Sequence, residues 1–146
     1  MDKHYKALIK MYLGASFQPK FPGTEMELWP GKAEIRMDVD SSYHHAAGSM
    51  HGYVYFRMLD EVCYFAAMTF EKEFYYVTRS FNIDFTRPFK EGKIIARSEE
   101  ITRNGTDIIV TGSLYDENGK VLAKGKGVFA KSRINLSSDI GYRLDQ

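Results

Sequence analysis

The stretch MHGYVYFRMLDEVCYFAAMTFEK, residues 50–72, decides the fold, because it predicts one long helix that is apolar on almost every side. Ser49 stands where it can cap the start of this helix. Before the end of the helix, the only charged residues are Arg57, Asp60 and Glu61. At about 1.5 Å per residue the helix would span roughly 30 Å, the width of a small domain. A helix with so little polar surface must be surrounded by the rest of the chain.

Alternating apolar and polar residues predict strands on both sides of this helix. They lie near 33–40, 75–86, 92–103, 106–117 and 120–132. Pro88 closes the second strand, since proline cannot continue a ladder. The pairs Asn104-Gly105 and Asn118-Gly119 predict two-residue hairpin turns in which both residues take positive φ, so the last three strands are expected to form an antiparallel meander.

The segments outside this pattern are expected to have lesser roles. Residues 3–15 carry apolar side chains at helical spacing and predict a short amphipathic packing helix without chemistry. Residues 16–31 hold three of the four prolines and predict an ordered loop. Residues 134–146 show no period and predict a loosely held tail. The whole chain, 1–146, is therefore interpreted as a single domain with its core at about 32–132.

The predicted fold is α+β, with a five-stranded antiparallel sheet curled around the long helix and a short helix before it. One helix cannot shield both faces and both edges of such a sheet. We therefore expect the chain to associate with copies of itself, either by joining sheets edge to edge or by burying the rest of the long helix.

Composition narrows the classes of function. The 146 residues include 20 basic and 19 acidic ones, so no strong field favours a nucleic acid or an anionic membrane as partner. The single cysteine, Cys63, excludes an intramolecular disulfide and any multi-cysteine metal site, and it is interpreted as inert packing. With no apolar run of about 18 residues and no signal-peptide core at its start, the protein is expected to be cytoplasmic.

Asp60 is the sharpest candidate for chemistry, because a carboxylate in the middle of an apolar helix is costly to bury unless it is paired or used. Two interpretations stand side by side. In one, Asp60 pairs with Arg57 one turn away, on a stripe that meets solvent. In the other, Asp60 is a catalytic carboxylate. Glu61 is expected to face outward with Arg57 rather than to act as a base.

The start of the long helix is suited to an anionic oxygen. Its first N–H groups have no partner within the helix and carry partial positive charge, and Gly52 lets a ligand approach the backbone closely. His44, His45 and His51 fall within eight residues but lack a metal-ligand spacing. No metal is therefore expected, one histidine is interpreted as a hydrogen-bonding group, and no cofactor motif occurs in a suitable context.

The segment His45-Ala-Ala-Gly48-Ser-Met-His51-Gly52, with Asp60 eight residues further on, resembles the hotdog-fold acyl-CoA thioesterases, and within them the phenylacetate-pathway, or PaaI-like, group. The similarity continues through Val77-Thr78-x-Ser80-Phe81-Asn82-Ile83 and Phe85-x-Arg87-Pro88 to the two hairpins, so it covers about 32–132. The fold that this resemblance implies, a long helix wrapped by a five-stranded antiparallel sheet, agrees with the fold predicted from the pattern.

By position, the resemblance implies four catalytic residues. Asp60 matches the carboxylate that acts as general base on water or as nucleophile, and Gly52 matches the residue whose N–H polarises the thioester carbonyl. Thr78 falls where relatives place a Ser or Thr beside the carboxylate or the water. His45 stands where the family usually has Asn, and it is expected to bond the water or the leaving thiolate. In the family the carboxylate and the glycine come from different subunits, which implies a site at a dimer interface.

The resemblance also implies the residues that would bind the substrate: His51, Tyr53, Arg87, Lys90 and Lys124. His51 keeps the place of the histidine in the family's His-Gly-Gly motif, whereas Tyr53 replaces its second glycine and is expected to reshape the acyl pocket. The three basic residues are candidates to hold the phosphates of CoA, although edge-strand lysines are also commonly just solvated.

The resulting prediction is a thioesterase that hydrolyses acyl-CoA or acyl carrier protein thioesters to free acid and thiol, as a homodimer or a dimer of dimers. Water would be activated by Asp60, with no metal or other cofactor. Two alternatives stay open. One is a hydroxyacyl-thioester dehydratase, in which His51 and Asp60 would cooperate, and the other is a non-catalytic acyl-CoA-binding module.

Overall fold

Two helices are present in the computed structural model, which describes residues 2–144. Helix α1 spans Lys3–Leu13 and helix α2 spans Gly52–Met68, and 12 of the 17 residues of α2 are buried, as its apolar sequence predicts. The residue that caps α2 is His51 rather than Ser49, because the His51 side chain accepts a hydrogen bond from the N–H of Tyr53 at 3.1 Å. The helix therefore begins two residues later than the sequence predicts.

Six antiparallel strands form one sheet that packs against α2. They are β1 (Glu25–Trp29), β2 (Lys32–Val39), β3 (Phe74–Phe85), β4 (Gly92–Asn104), β5 (Asp107–Asp116) and β6 (Val121–Asn135). Their order across the sheet is β1-β2-β4-β5-β6-β3, so the strand that directly follows the helix lies at the edge. The predicted α+β fold, with a sheet around one long helix, is confirmed.

Strand β1 is the difference from the predicted sheet of five strands. It pairs with β2 from Glu25↔Arg36 to Trp29↔Lys32, across the turn at Pro30-Gly31. Met26 and Leu28 are buried, whereas the alternate residues Glu25, Glu27 and Trp29 are exposed, which is a strand pattern. The strand is only five residues long, and the prolines and glycines around it favour a loop. The sequence therefore predicts a loop at this place.

Both Asn-Gly hairpins exist, but neither turn has the predicted geometry. Glycine alone takes positive φ in each, with 64° at Gly105 and 81° at Gly119. Asn104 is still in the ladder opposite Asp107, so the first turn consists of Gly105 and Thr106. In the second turn Asp116 and Lys120 are hydrogen-bonded, which leaves a three-residue loop that ends in glycine.

Cys63 lies at a tight contact between α2 and the sheet. Its side chain is fully buried, and it faces β5 at Gly112, where an added Cβ atom would lie 3.0 Å from the Cys63 sulfur. A side chain at position 112 would therefore push the helix away from the sheet.

The described part of the C-terminal tail, which is predicted to be loosely held, contacts the rest of the chain through particular residues. Strand β6 continues to Asn135, a short 3-10 turn follows at Ser138–Ile140, and the ring of Tyr142 is only 5% exposed. The tail prediction also covers Asp145 and Gln146, which lie outside the described residues. Across 2–144, neither helix is long and apolar enough to span a lipid bilayer.

Candidate active site

A cavity of about 860 Å³ lies beside the middle of α2. Asp60 and Glu61 of the helix line it together with Thr78 of β3, and its other walls come from the end of α1 and from the C-terminal tail. Six of the lining side chains are aromatic: Tyr12, Phe17, Tyr64, Phe65, Tyr75 and Tyr76. The cavity combines three carboxyl groups, those of Asp60, Glu61 and Asp139, with aromatic and aliphatic side chains, and such a mixture of polar and apolar groups is usual in a small-molecule site.

Asp60 is held from the neighbouring strand. The Oγ1 of Thr78 donates a 2.8 Å hydrogen bond to Oδ1 of Asp60, so the two residues predicted to act together are in contact. Burial raises the pKa of Asp60, and the hydrogen bond from Thr78 opposes this effect without cancelling it. A carboxylate with a raised pKa is a better proton acceptor than an exposed one, which suits a general base.

Glu61 is predicted to face outward, but in the structure it faces the cavity. Its side chain is 15% exposed and lines the same cavity, and its Oε2 has no hydrogen-bond partner among residues 2–144. Burial raises the pKa of Glu61 to about 7, although the positive charge of Arg57 acts in the opposite direction. The cavity therefore contains a second carboxyl group that sequence reasoning did not propose as a site residue.

Arg57 pairs with Glu61 and not with Asp60. Arg57 Nε lies 3.7 Å from Glu61 Oε2, and the guanidinium is 7% exposed beneath the ring of Phe21. Its Nη2 donates to the hydroxyl of Tyr12 at 2.9 Å and to Oε1 of Gln18 at 3.1 Å. The solvent-facing Asp60–Arg57 pair that the sequence left open is thus wrong, and Asp60 has no cationic partner in this cluster.

The start of α2 faces a second and smaller cavity, of about 270 Å³. Gly52 lines it together with His45, Arg87 and Phe85, and the ring of Phe85 lies 3.6 Å from the place that a Cβ atom on Gly52 would occupy. Nδ1 of His45 accepts a hydrogen bond from the N–H of Ala47 at 3.0 Å. Among the described residues, no residue lines both cavities.

The other predicted binding residues lie at the surface near this second cavity or on the sheet. His51 caps the helix, and Tyr53 is 47% exposed next to it, with the two ring centroids 4.9 Å apart. Lys90 is exposed, and its carbonyl accepts a hydrogen bond from Nε2 of His44 at 2.8 Å. Lys124 is exposed on β6 opposite Asp84 of β3.

An exposed apolar surface borders the edge strand β3. Val77 is 43% exposed, Phe85 is 54% exposed, and Phe56 of α2, which contacts the ring of Phe81, is 41% exposed. An unpaired strand edge beside exposed aromatic side chains is the kind of surface that a second chain covers.

Sequence reasoning missed the parts of the main cavity that lie far from Asp60 along the chain. The end of α1 and the tail were interpreted without chemistry, yet Tyr12, Phe17 and Ile140 line the cavity. The buried face of α1 was visible in its helical spacing, but nothing in the sequence indicated what that face would cover. Within residues 2–144 no group of three or more His, Cys, Asp or Glu side chains is arranged to hold a metal ion.

Comparison with known proteins places the chain in a family. A model of the thioesterase superfamily matches residues 47–123, which include Gly52, Asp60 and Thr78. A candidate esterase from Saccharolobus solfataricus is 29% identical over 114 residues, which are 77% of this chain and 76% of that protein. A second candidate esterase from the same organism is 24% identical over 128 residues, which are 87% of this chain and 91% of that protein.

Solved structures agree with the fold. The PaaI protein from the phenylacetic acid degradation operon of E. coli superimposes with a TM-score of 0.81 at 18% identity, covering 92% of this chain and 97% of that one. A thioesterase from Haemophilus influenzae gives 0.74 at 18% identity, covering 88% of this chain and 90% of that one. At these identities the likeness shows the fold, which is the hotdog fold that the sequence predicts.

Proposed function

The chain belongs to the thioesterase superfamily, and we propose that it hydrolyses acyl-CoA or acyl carrier protein thioesters to the free acid and thiol. The observation that carries this proposal is Asp60, a carboxylate with a raised pKa in the wall of a large aromatic cavity, held by Thr78. An apolar acyl group would occupy the cavity, and Asp60 would act on the thioester at its mouth.

The reaction needs one proton acceptor and one oxyanion site. Asp60 removes a proton from a water molecule as that water attacks the thioester carbon. The carbon–sulfur bond then breaks, the thiolate leaves, and the acquired proton neutralises it. Because a thiolate is a good leaving group, Asp60 and a hydrogen-bond donor for the oxyanion are sufficient.

The oxyanion donor in this proposal is the N–H of Gly52 on a second copy of the chain. Within one chain Gly52 and Asp60 are eight residues apart on α2, which is about 12 Å along the helix axis, and they line separate cavities. Pairing of two copies through the exposed surface at β3 would bring one copy's helix start to the other's carboxylate. We therefore propose a homodimer, or a dimer of such dimers, with two shared sites.

The CoA end of the substrate would lie at the protein surface. Arg87 lines the Gly52 cavity, and Lys90 is exposed nearby in sequence. Together with Lys124 they would hold phosphate groups by charge-assisted hydrogen bonds. His45 lies in the same cavity as Gly52, where it would bond the leaving thiolate.

The test is release of free thiol from short, long and aromatic acyl-CoAs by wild type and by Asp60→Asn. We expect the substitution to lower kcat by about a hundredfold or more, since amides do not accept the proton. Asp38→Asn is the matched control, because Asp38 is 77% exposed on β2 and should leave the rate unchanged. Undiminished hydrolysis by Asp60→Asn would remove Asp60 from the mechanism.

The alternatives give different results in the same experiment. Tight binding of acyl-CoA with no thiol release from any substrate would identify a binding module. Loss of water from a hydroxyacyl-CoA without hydrolysis would identify a dehydratase. Within one chain His51 caps α2 and lies outside the Asp60 cavity, so a dehydratase that uses His51 with Asp60 would also need a second copy of the chain.

A further inference from the structure

We propose that the C-terminal segment 136–144, the strap, is the part of the chain that limits the length of the acyl group. The inference rests on the proposed function, because it assigns the acyl group to the cavity beside Asp60. It concerns the wall of that cavity and not the reacting residues.

The strap is a structural wall of the cavity. Ser138, Asp139, Ile140, Gly141 and Arg143 all line it, facing the space that Asp60 and Thr78 also line. Ile140 is half-buried and packs against the hydrophobic core, so it offers an apolar side chain to an acyl group. An acyl chain that starts at Asp60 and fills the cavity would meet this wall.

Hydrogen bonds among His4, Tyr142 and the carbonyl group of Met68, together called the latch, fix the strap to both helices. His4 of α1 is 3% exposed, its Nδ1 lies 2.6 Å from the hydroxyl of Tyr142, and its Nε2 lies 2.8 Å from the carbonyl oxygen of Met68. Because a carbonyl oxygen only accepts, Nε2 carries the hydrogen and Nδ1 accepts from Tyr142. Burial lowers the pKa of His4, in agreement with a neutral imidazole in the latch.

The main chain of the strap also lies close against α1. Gly141 has φ 89°, and a Cβ atom added to it would be 3.6 Å from the Cα atom of Met11. At the other end of the strap, the N–H of Leu136 donates to the carbonyl of Glu73 at 2.8 Å. The strap is thus held at both ends, and its middle residues, 138–141, form the wall between these attachments.

The reacting end of the cavity and this wall are built from different elements. Asp60 and Thr78 belong to α2 and β3, whereas the strap is the last described segment and lies outside the sheet. A change in the strap can therefore alter the volume available to the acyl group while Asp60 keeps its position. This separation is what makes the strap a determinant of specificity and leaves it without a catalytic role.

The direct test replaces Ile140 in both directions and measures kcat/KM for acyl-CoAs from acetyl to palmitoyl. Ile140→Ala should move the preferred acyl group to a longer chain, and Ile140→Trp should move it to a shorter one. An unchanged order of preference in both variants would overturn the inference.

A second variant tests the latch. Tyr142→Phe removes the hydroxyl and keeps the ring, and we expect it to weaken the attachment of the strap and so to reduce the discrimination between the longest and shortest substrates. Tyr115→Phe is the matched control, because Tyr115 lies on β5 under Arg97 and outside the cavity. Equal discrimination in Tyr142→Phe and Tyr115→Phe would remove the latch from the inference.

Binding separates this inference from the proposed function. The affinities of non-hydrolysable acyl-CoA thioethers of increasing length are measured for wild type and for the Ile140 variants. If wild type releases no thiol, the proposed hydrolysis fails, while opposite shifts in thioether length preference still support the strap. If wild type hydrolyses acyl-CoAs but neither rate nor affinity responds to Ile140, the strap inference fails alone.

Discussion

Thr78 on the edge strand β3 donates a 2.8 Å hydrogen bond to Asp60 on the central helix α2, and this bond opposes the effect of burial on the carboxyl group. Burial disfavours the charged carboxylate, whereas a donated hydrogen bond favours it. The protonation of Asp60 is therefore adjusted by a residue on the strand that would meet a second copy of the chain.

Replacing Thr78 with valine should raise the pKa of Asp60 further, because the hydroxyl that stabilises the carboxylate is lost. A base works only when deprotonated, so the acidic limb of the kcat/KM profile should move to higher pH. The measurement is the pH dependence of thiol release from one acyl-CoA. Thr78→Ser keeps the hydroxyl and should keep the wild-type limb, and an unmoved limb in Thr78→Val would contradict the prediction.

Glu61 should make the protein less stable as the pH rises. Its folded pKa, raised from 4.5 to about 7, means that the folded state favours the protonated form. The stabilisation is fully present below pH 4.5 and is lost as the pH rises through about 7. The free energy of unfolding should fall by roughly 3 kcal/mol over this range. Glu61→Gln, which is neutral throughout, should match wild type near pH 4.5 and exceed it near pH 8 in chemical denaturation.

The control for this prediction is Glu71→Gln. Glu71 pairs with Arg103 at 2.9 Å, but the Arg103 side chain is 49% exposed. Loss of such a surface pair should change the free energy of unfolding by less than about 1 kcal/mol. A stability difference between Glu61→Gln and wild type that does not grow from pH 4.5 to pH 8 would be evidence against a buried, uncharged Glu61.

Gly52→Ala should separate activity from folding. An added Cβ would lie 3.6 Å from the Phe85 ring, an ordinary contact, and alanine is the better helix former, so the melting temperature should stay the same or rise. The same methyl group would occupy space needed by an oxyanion at the helix start, and we expect kcat to fall by about a hundredfold. Because alanine keeps the N–H, retention of wild-type kcat would show that the reacting oxygen does not occupy the space beside the Gly52 Cα atom.

The proposed dimer predicts unequal effects of two similar surface substitutions. Phe56 beside β3 is 41% exposed, and Trp29 on β1 at the opposite sheet edge is 43% exposed. Phe56→Glu should shift the protein to monomers in sedimentation and abolish thiol release, because each site would lose half of its residues. Trp29→Glu should do neither, and equal sedimentation of both variants with wild type would argue against pairing at β3.

The sequence predicts most elements of this fold because the apolar residues of each follow a local pattern. Helix α2 and the strands from β2 to β6 each carry a period that their own residues impose, and Asp60 stands out as the carboxylate in the apolar helix. Strand β1 is missed because it is short and lies among prolines and glycines that favour a loop.

The remaining differences come from contacts between residues that are distant in the chain. Glu61 is enclosed because α1 and the following turn cover it with Tyr12 and Phe17, more than 40 positions earlier. The tail is ordered because Tyr142 reaches His4, which lies 138 positions away. Neither contact leaves a local signature, so the protonation of Glu61 and the wall made by the tail emerge only from the folded chain.

The buried sulfur of Cys63 has a practical consequence for every measurement of thiol release by this protein. Aromatic disulfide reagents detect thiols through the thiolate, and Cys63 is fully buried against β5 with a pKa that burial raises. As the chain has one cysteine, the folded protein contributes no background to such a colour reaction. The absorbance then counts product alone, and a slow rise in an enzyme-only sample reports unfolding.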